Sequence, residues 1–217
     1  MVVHKSQNDD RLRDLYLANQ LLTDDEVIKY AKEAVKSELH SITVNTACVK
    51  NLGTILKNSK TKLRVAVGFP YGQQYSEIKY LEAKKAIVDG ADEILGILNH
   101  SKWLSQNWNY MEQEINGLVD VAHYNKKTLV LGFFPGCFES LEYYQIPKWI
   151  EKYGVDGIQL LDRMSPRPKS NTENAHHVFE IMLRELSEET LIYFSEVPKK
   201  PQLKNKNQIF SKQLAIN

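Results

Sequence analysis

The side chains best suited to chemistry lie in a proline-rich loop that follows the apolar segment GIQLL. Arg163, Arg167 and Lys169 are in this loop. Their positive charges could bind an anion such as a phosphate group, or they could form a solvated basic loop. Lys169 is a weak candidate for a covalent nucleophile, because an exposed lysine keeps a high pKa and its amine stays protonated.

The other reactive side chains have no recognisable partners in the sequence. Cys48 begins a predicted helix and Cys137 follows the segment FFPG, and neither is paired with a histidine. Ordinary packing or an incidental thiol is the simpler interpretation of both. His176 and His177 lie on a polar helix face, without an H-x-x-x-H or C-x-x-C pattern. The sequence therefore predicts no metal site and no cofactor.

Apolar segments of strand length alternate with segments of helical periodicity along most of the chain. The first helix opens with a capping box formed by Thr23 and Glu26. Further helices are predicted over residues 47–56, 76–88, 110–123, 146–152 and 172–186. The predicted strands are SITVN, LRVAVGF, EILGIL, TLVLGFF, VDGIQLL and TLIYFS, with a first strand near residues 12–17. This alternation is typical of a parallel sheet that is buried on both faces.

Repetition of the strand and helix unit favours an α/β fold of the TIM (β/α) barrel type over an open sheet. No G-x-G-x-x-G follows any strand to support the open sheet. We expect a polar N-terminal segment over residues 1–10, the barrel domain over 11–196 and a polar tail over 197–217. The tail is too short for a helix and strand of normal length, so we expect an incomplete barrel of about seven strands.

Composition restricts the possible partners. The chain has 217 residues and a net charge of +1, which gives no electrostatic reason to expect nucleic acid. No apolar run approaches the roughly 20 residues that span a bilayer, and the N-terminus has no signal-peptide core. Two cysteines do not form a disulfide framework. We expect a cytoplasmic protein with no membrane or nucleic-acid partner.

Four sequence landmarks resemble the deoxyribose-phosphate aldolase family. They are SITVNTACVK, VAVGFPYG, SEIKYLEAKKAIVDGADEI with Asn99 beyond it, and KYGVDGIQL. The resemblance implies a TIM barrel with a pocket at the C-terminal ends of its strands. It also implies cleavage of 2-deoxyribose 5-phosphate to acetaldehyde and glyceraldehyde 3-phosphate. In that reaction one lysine forms a Schiff base, a second lysine lowers its pKa, and a carboxylate moves protons.

The catalytic positions implied by this resemblance carry other residues here. Leu95 stands where the family has its strand carboxylate, and Gln159 stands where it has the Schiff-base lysine. Tyr193 replaces the second lysine, whereas Asp14 is retained near the N-terminus. Only a primary amine can form the iminium, so these replacements together remove the Schiff-base route.

The phosphate site implied by the resemblance is altered as well. Arg163 replaces its first glycine, and Glu196 and Val197 replace a Gly-Gly pair. A carboxylate repels a phosphate dianion, and loss of glycine prevents close approach of the backbone.

Two functions are consistent with these residues. In the first, a deoxyribose-phosphate-aldolase-like protein has lost Schiff-base activity and binds a small metabolite or a protein partner. Asp14, Asn45, Gln159 and Tyr193 could bind such a ligand, or they could be the remaining network of an old site. The alternative is an active lyase on 2-deoxyribose 5-phosphate or a related sugar phosphate, with a non-standard site. Self-association or a protein partner would cover the open barrel edge.

Overall fold

The computed structural model describes residues 12–18, 21–137, 143–161, 172–194 and 208–213. Within these residues, eight strands close into one barrel and follow one another around it in chain order. Each strand pairs in parallel with the next, and the last pairs with the first. The predicted α/β fold of the TIM type is therefore confirmed.

The strands are four to six residues long and largely buried. In chain order they are β1 Leu12–Tyr16, β2 Ser41–Asn45, β3 Lys62–Val67, β4 Glu93–Ile97, β5 Thr128–Phe133, β6 Gly157–Leu160, β7 Leu191–Phe194 and β8 Gln208–Gln213. Each predicted strand has a counterpart in this set. Burial on both faces explains why the central strands, such as β4 and β5, are almost continuously apolar.

The helices lie outside the barrel wall. In chain order they are α1 Asp24–Lys36, α2 Val49–Leu56, α3 Ser76–Val88, α4 His100–Leu104, α5 Trp108–Tyr124, α6 Gln145–Tyr153 and α7 Thr172–Glu185. The predicted capping box of α1 is confirmed, because Thr23 Oγ1 accepts from the Glu26 amide and the Thr23 amide donates to the Glu26 carboxylate. Among the described residues no helix has the length and apolar content to cross a membrane.

The eighth strand corrects the expectation of an incomplete barrel with about seven strands. β8 lies within residues 197–217, the segment expected to be a polar tail. It pairs with β1 on one side and β7 on the other, so the expected open edge does not exist among the described strands. The N–H and C=O groups of β1 and β7 obtain their ladder partners from β8. The segment was expected to be a tail because it is rich in polar residues. Its strand nevertheless places Ile209, which is fully buried, inside the barrel.

Alternate residues of each strand face opposite sides of the barrel wall. On β4, Ile94 packs in the outer core between strands and helices, whereas Leu95 packs in the inner core inside the barrel. On β1, Leu15 is in the outer core and Tyr16 in the inner core. This alternation decides which side chains can meet inside the barrel.

Substitution of Ile209 tests whether β8 belongs to the core. We expect Ile209→Ala to lower the free energy of unfolding by about 2–5 kcal/mol, because Ile209 is fully buried in the inner core. Urea denaturation would measure this loss. Leu104→Ala, at a residue that is 46% exposed, is the control and is expected to cost less than about 1 kcal/mol. An Ile209→Ala cost as small as the control's would contradict the placement of β8.

Candidate functional site

Three of the four predicted ligand-binding residues meet inside the barrel. Asp14 on β1, Gln159 on β6 and Tyr193 on β7 are almost completely buried. Gln159 and Tyr193 are register partners on neighbouring strands. Gln159 Nε2 donates to Ser211 Oγ at 3.3 Å, and Ser211 Oγ donates to Asp14 Oδ2 at 2.7 Å. Asn45, the fourth residue, ends β2 and is only half-buried.

The Asp14 carboxylate is the centre of a buried hydrogen-bond network. It accepts from the hydroxyls of Ser41 at 2.7 Å, Thr43 at 3.0 Å and Ser211 at 2.7 Å. It also forms an ion pair with the guanidinium of Arg64 at 2.8 Å. With this many donors around it, the carboxylate has its lone pairs largely occupied by the protein itself.

Arg64 is the residue of this site that the sequence analysis missed. Its side chain is fully buried, its Nε donates to Thr43 Oγ1 at 2.8 Å, and its guanidinium lies 3.6 Å from the centroid of the Tyr193 ring. Burial lowers the pKa of Arg64, but the carboxylates of Asp14 and Glu93 and the nearby Tyr193 raise it by more, so the net pKa lies above the usual value. The only signal in the sequence was an arginine within the apolar strand LRVAV.

A second polar cluster occupies the N-terminal ends of the strands. Tyr193 Oη donates to Glu93 Oε2 at 2.8 Å, and Lys62 Nζ donates to Glu93 Oε1 at 2.7 Å. Burial raises the pKa of Glu93, but Arg64 and Lys62 lower it, and the net pKa lies below the usual value. Burial raises the pKa of Tyr193, so its hydroxyl stays protonated and serves as a donor.

The C-terminal ends of the strands, by contrast, carry apolar side chains inside the barrel. Leu95 and Ile97 on β4 are fully buried in the inner core. Phe134 after β5 and Leu161 after β6 belong to the same cluster and are at most 4% exposed. Active sites of TIM barrels lie at this end of the barrel. Here these side chains fill much of that space.

His100, the first residue of α4, fixes the position of Phe134. The Phe134 amide donates to His100 Nε2 at 2.9 Å, and the two rings lie 4.9 Å apart. Burial lowers the pKa of His100 to about 4, so the ring is neutral at physiological pH and its nitrogen can accept this bond. The apolar filling therefore depends on an uncharged histidine.

The fully buried lysine, Lys79 on α3, is engaged outside the barrel. Its ammonium donates to Glu114 Oε2 at 2.8 Å and to the Ile97 carbonyl at 2.9 Å. Burial lowers the pKa of Lys79, while Glu114 opposes this shift. The ion pair joins α3, α5 and the end of β4, which is a structural role.

Arg163, Arg167, Lys169, Glu196 and Val197 lie outside the described residues.

The predicted thiol and imidazole candidates are described only in part. The side chains of Cys137 and His176 are outside the described part of the structure, and His177 is exposed on α7. Burial raises the pKa of Cys48, the opposite of the shift that activates a thiolate nucleophile. Within the described residues no group of three or more metal-binding side chains occurs.

Comparison with known proteins identifies the family. The chain is 38% identical to a deoxyribose-phosphate aldolase from Caldicellulosiruptor saccharolyticus over 105 residues, which cover 48% of each chain. The chain spans about half the length of this relative, and about half the length of two deoxyribose-phosphate aldolases from Clostridium perfringens. The chain is 31% identical to a deoxyribose-phosphate aldolase from Treponema denticola over 147 residues, or 67% of this chain and 68% of the relative. The chain belongs to the deoxyribose-phosphate aldolase family. No family model matches it.

Solved structures support the same fold for this family member. The structure of QR15, which is described as an aldolase, superposes on this chain with a TM-score of 0.74 at 16% identity. The match covers 92% of this chain and 88% of QR15. The deoxyribose phosphate aldolase from Aeropyrum pernix, described as tetrameric, has a TM-score of 0.70 at 16% identity and covers 84% of this chain and 74% of that one. At these identities the likeness concerns the barrel alone.

The buried ion pair gives a first prediction about the site. Asp14→Asn leaves the Arg64 guanidinium buried without its ion-pair partner, and we expect it to lower the free energy of unfolding by about 3–5 kcal/mol. The double variant Asp14→Asn, Arg64→Met removes both charges and is expected to recover most of that loss. Urea denaturation measures each step.

The matched control for this prediction is the exposed pair of Arg184 and Glu185. Glu185→Gln is expected to change the free energy of unfolding by less than about 1 kcal/mol. If the double variant of the buried pair were as unstable as Asp14→Asn alone, an unpaired charge would not be the cause of the loss.

His100 gives a prediction about pH. Its pKa is near 4 in the folded protein and about 6.5 in the unfolded chain, so the unfolded chain binds the proton first as pH falls. Stability from this residue is complete above pH 6.5 and decreases toward pH 4. Between about pH 7.5 and pH 5 we expect a loss of about 2 kcal/mol from His100 alone.

The measurement is the free energy of unfolding at the two pH values in three proteins. His100→Gln keeps an acceptor that does not titrate, so it should lose less stability on acidification than the wild type. His177→Gln, at an exposed histidine, should keep the slope of the wild type. Equal slopes for wild type and His100→Gln would contradict the prediction.

Proposed function

We propose that this chain is a deoxyribose-phosphate-aldolase-like protein that has lost Schiff-base chemistry and acts by binding. The observation that carries the proposal is the buried barrel interior, where Gln159, Tyr193 and Leu95 occupy the positions that the family resemblance assigns to two lysines and a carboxylate. A Schiff base needs a primary amine that is partly unprotonated. An amide, a phenol and an alkyl group cannot supply it.

Arg64 does not restore the missing chemistry. Its guanidinium is protonated, delocalised and paired with Asp14, so it offers no free electron pair to a carbonyl. It does place a positive charge beside Tyr193, at the position implied for the second lysine. Arg64 thus supplies a cation to the interior without supplying a nucleophile.

Access to the interior also argues against catalysis. A sugar phosphate enters a TIM barrel at the C-terminal ends of the strands. In this chain Ile97, Phe134 and Leu161 pack together there inside the barrel. Insertion of a hydroxylated, doubly charged substrate among these side chains would leave its polar groups without partners.

We favour a role in binding another protein molecule. The partner that we consider first is a second copy of this chain. Asp14 and Tyr193, two of the candidate ligand residues, already have partners within the barrel. The aldolase from Aeropyrum pernix is described as tetrameric. By analogy with that relative, we propose that this chain self-associates.

A small polar ligand is a second candidate for binding. Three buried polar atoms, Arg64 Nη1, Gln159 Oε1 and Tyr16 Oη, have no hydrogen-bond partner among the described residues. Such atoms usually bind an ordered water or a ligand atom. A thermal shift with a small metabolite that is lost in Gln159→Leu would support this role.

The alternative to a binding role is an active lyase with a non-standard nucleophile. Lys169 is the first residue to consider, because it follows β6 in the chain. Borohydride trapping separates the two functions. With 2-deoxyribose 5-phosphate and borohydride we expect no change in the intact mass of the protein, and no release of acetaldehyde above background. An active aldolase treated in parallel should be labelled on its Schiff-base lysine.

A stoichiometric adduct on one lysine would overturn the loss of Schiff-base chemistry, and peptide mapping would identify that lysine. If it were Lys169, then Lys169→Arg should remove the label. Lys127→Arg should not, because Lys127 directly precedes β5 and lies at the opposite end of the barrel. Release of acetaldehyde without an adduct would indicate cleavage by a route that has no imine.

A further inference from the structure

Helix α3 has an apolar stripe on the face that points away from the barrel. Its inward face buries Ser76, Lys79, Ala83 and Ala86. The opposite face carries Ile78, Leu81 and Val88, with exposed fractions of 50%, 63% and 74%, and Tyr75, which immediately precedes the helix, is 79% exposed. The outward residues recur at intervals of three or seven, so they form one stripe along the helix.

The area of this stripe is large for a free surface. With Tyr71 in the preceding loop, which is 55% exposed, the five residues present roughly 600 Å² of accessible surface. That is the size of the largest apolar patch on an ordinary monomer, and a standard interface takes about 800 Å² from each partner. The stripe and the charged residues beside it together approach this size.

We propose that α3 is a self-association surface, on which a second copy of this chain packs its own α3 in antiparallel orientation. This inference deepens the self-association part of the proposed function and does not depend on the loss of catalysis. In a twofold pair, the centre of the stripe near Leu81 meets itself. Tyr75 at one end then faces Val88 of the second copy at the other.

The charges along one edge of the stripe favour the antiparallel orientation. Glu77 in the first turn and Lys84 two turns later are both exposed and lie on the same side of the helix. In an antiparallel pair, Glu77 of each copy approaches Lys84 of the other, which gives two attractive contacts. In a parallel twofold pair, the edge that carries Glu77 and Lys84 would lie on opposite sides of the interface in the two copies, so neither attractive contact would form.

Lys85 lies within the stripe without opposing the association. Its ammonium is paired with Asp89, the residue that follows the last residue of α3. The side chain can therefore contribute its methylene groups to the interface while the charge stays neutralised at the end of the helix.

The first experiment places a charge at the centre of the stripe. Wild-type protein is expected to change from monomer to dimer over about a hundredfold range of concentration in sedimentation velocity. Leu81→Glu brings two carboxylates together across the twofold axis, and we expect the dissociation constant to rise by at least about a hundredfold. Tyr124→Glu introduces the same charge at an apolar residue that is 90% exposed on α5, and it should leave the dimer unchanged.

The second experiment tests the orientation with a charge exchange. Glu77→Lys places lysines opposite each other and should weaken the dimer by about tenfold. The double variant Glu77→Lys, Lys84→Glu restores opposite charges and should return the dissociation constant to near the wild-type value. A purely local role of either residue in α3 would not give this recovery. At concentrations at which the wild type is monomeric, circular dichroism and thermal unfolding should be alike in all variants, since every substituted position is exposed.

The outcomes separate this inference from the proposed function. A dimer that persists in Leu81→Glu would overturn the α3 surface and leave self-association standing. A wild type that is monomeric at every concentration would overturn both the surface and self-association, and it would point to a different protein as the partner. Failure of the charge exchange to restore the dimer would overturn the antiparallel arrangement. The result of borohydride trapping does not depend on any of these three association measurements.

Discussion

The buried ion pair between Asp14 and Arg64 determines how the rest of the barrel interior is arranged. Two charges in an enclosed space must neutralise each other and also satisfy their remaining hydrogen-bonding groups. Asp14 therefore accepts hydrogen bonds from hydroxyl groups on β2 and β8, while Arg64 packs against the ring of Tyr193 on β7. The hydroxyl of Tyr193 in turn donates a hydrogen bond to Glu93 on β4. One pair thus connects strands around most of the barrel.

This arrangement divides the interior into two halves of different character. The half near the N-terminal ends of the strands holds the charges, and the half near the C-terminal ends holds apolar side chains around Leu95 and Phe134. An aldolase of this fold needs the opposite arrangement, with its polar and reactive groups at the C-terminal ends of the strands. A barrel can hold either arrangement, because strand pairing uses backbone groups and the outer core uses the outward side chains. Family membership therefore specifies the barrel, whereas the chemistry depends on a few inward positions.

The outer surface completes this description of the molecule. A helix that packs on a barrel buries one face, and α3 also carries apolar residues on the opposite, exposed face. An exposed stripe of this size favours aggregation unless a specific partner covers it. The charges of Glu77 and Lys84 beside the stripe would select one orientation of that partner. If a second copy of the chain covers this stripe, as we propose, the functional surface lies on the outside of the barrel.

Sequence alone determined the local features of this protein: the bounds of α3, the capping box of α1, the alternation of strands and helices, and the presence of a glutamine at position 159 and a tyrosine at position 193. Each of these is encoded by neighbouring residues or by a single residue type. Only the tertiary structure decided that β8 closes the barrel, that Arg64 lies beside Asp14, and that one face of α3 is left uncovered. These features depend on contacts between distant segments, such as the bond from Ser211 to Asp14 across 197 residues. Periodicity can indicate that a residue faces inward or outward, but three-dimensional packing decides what it meets there.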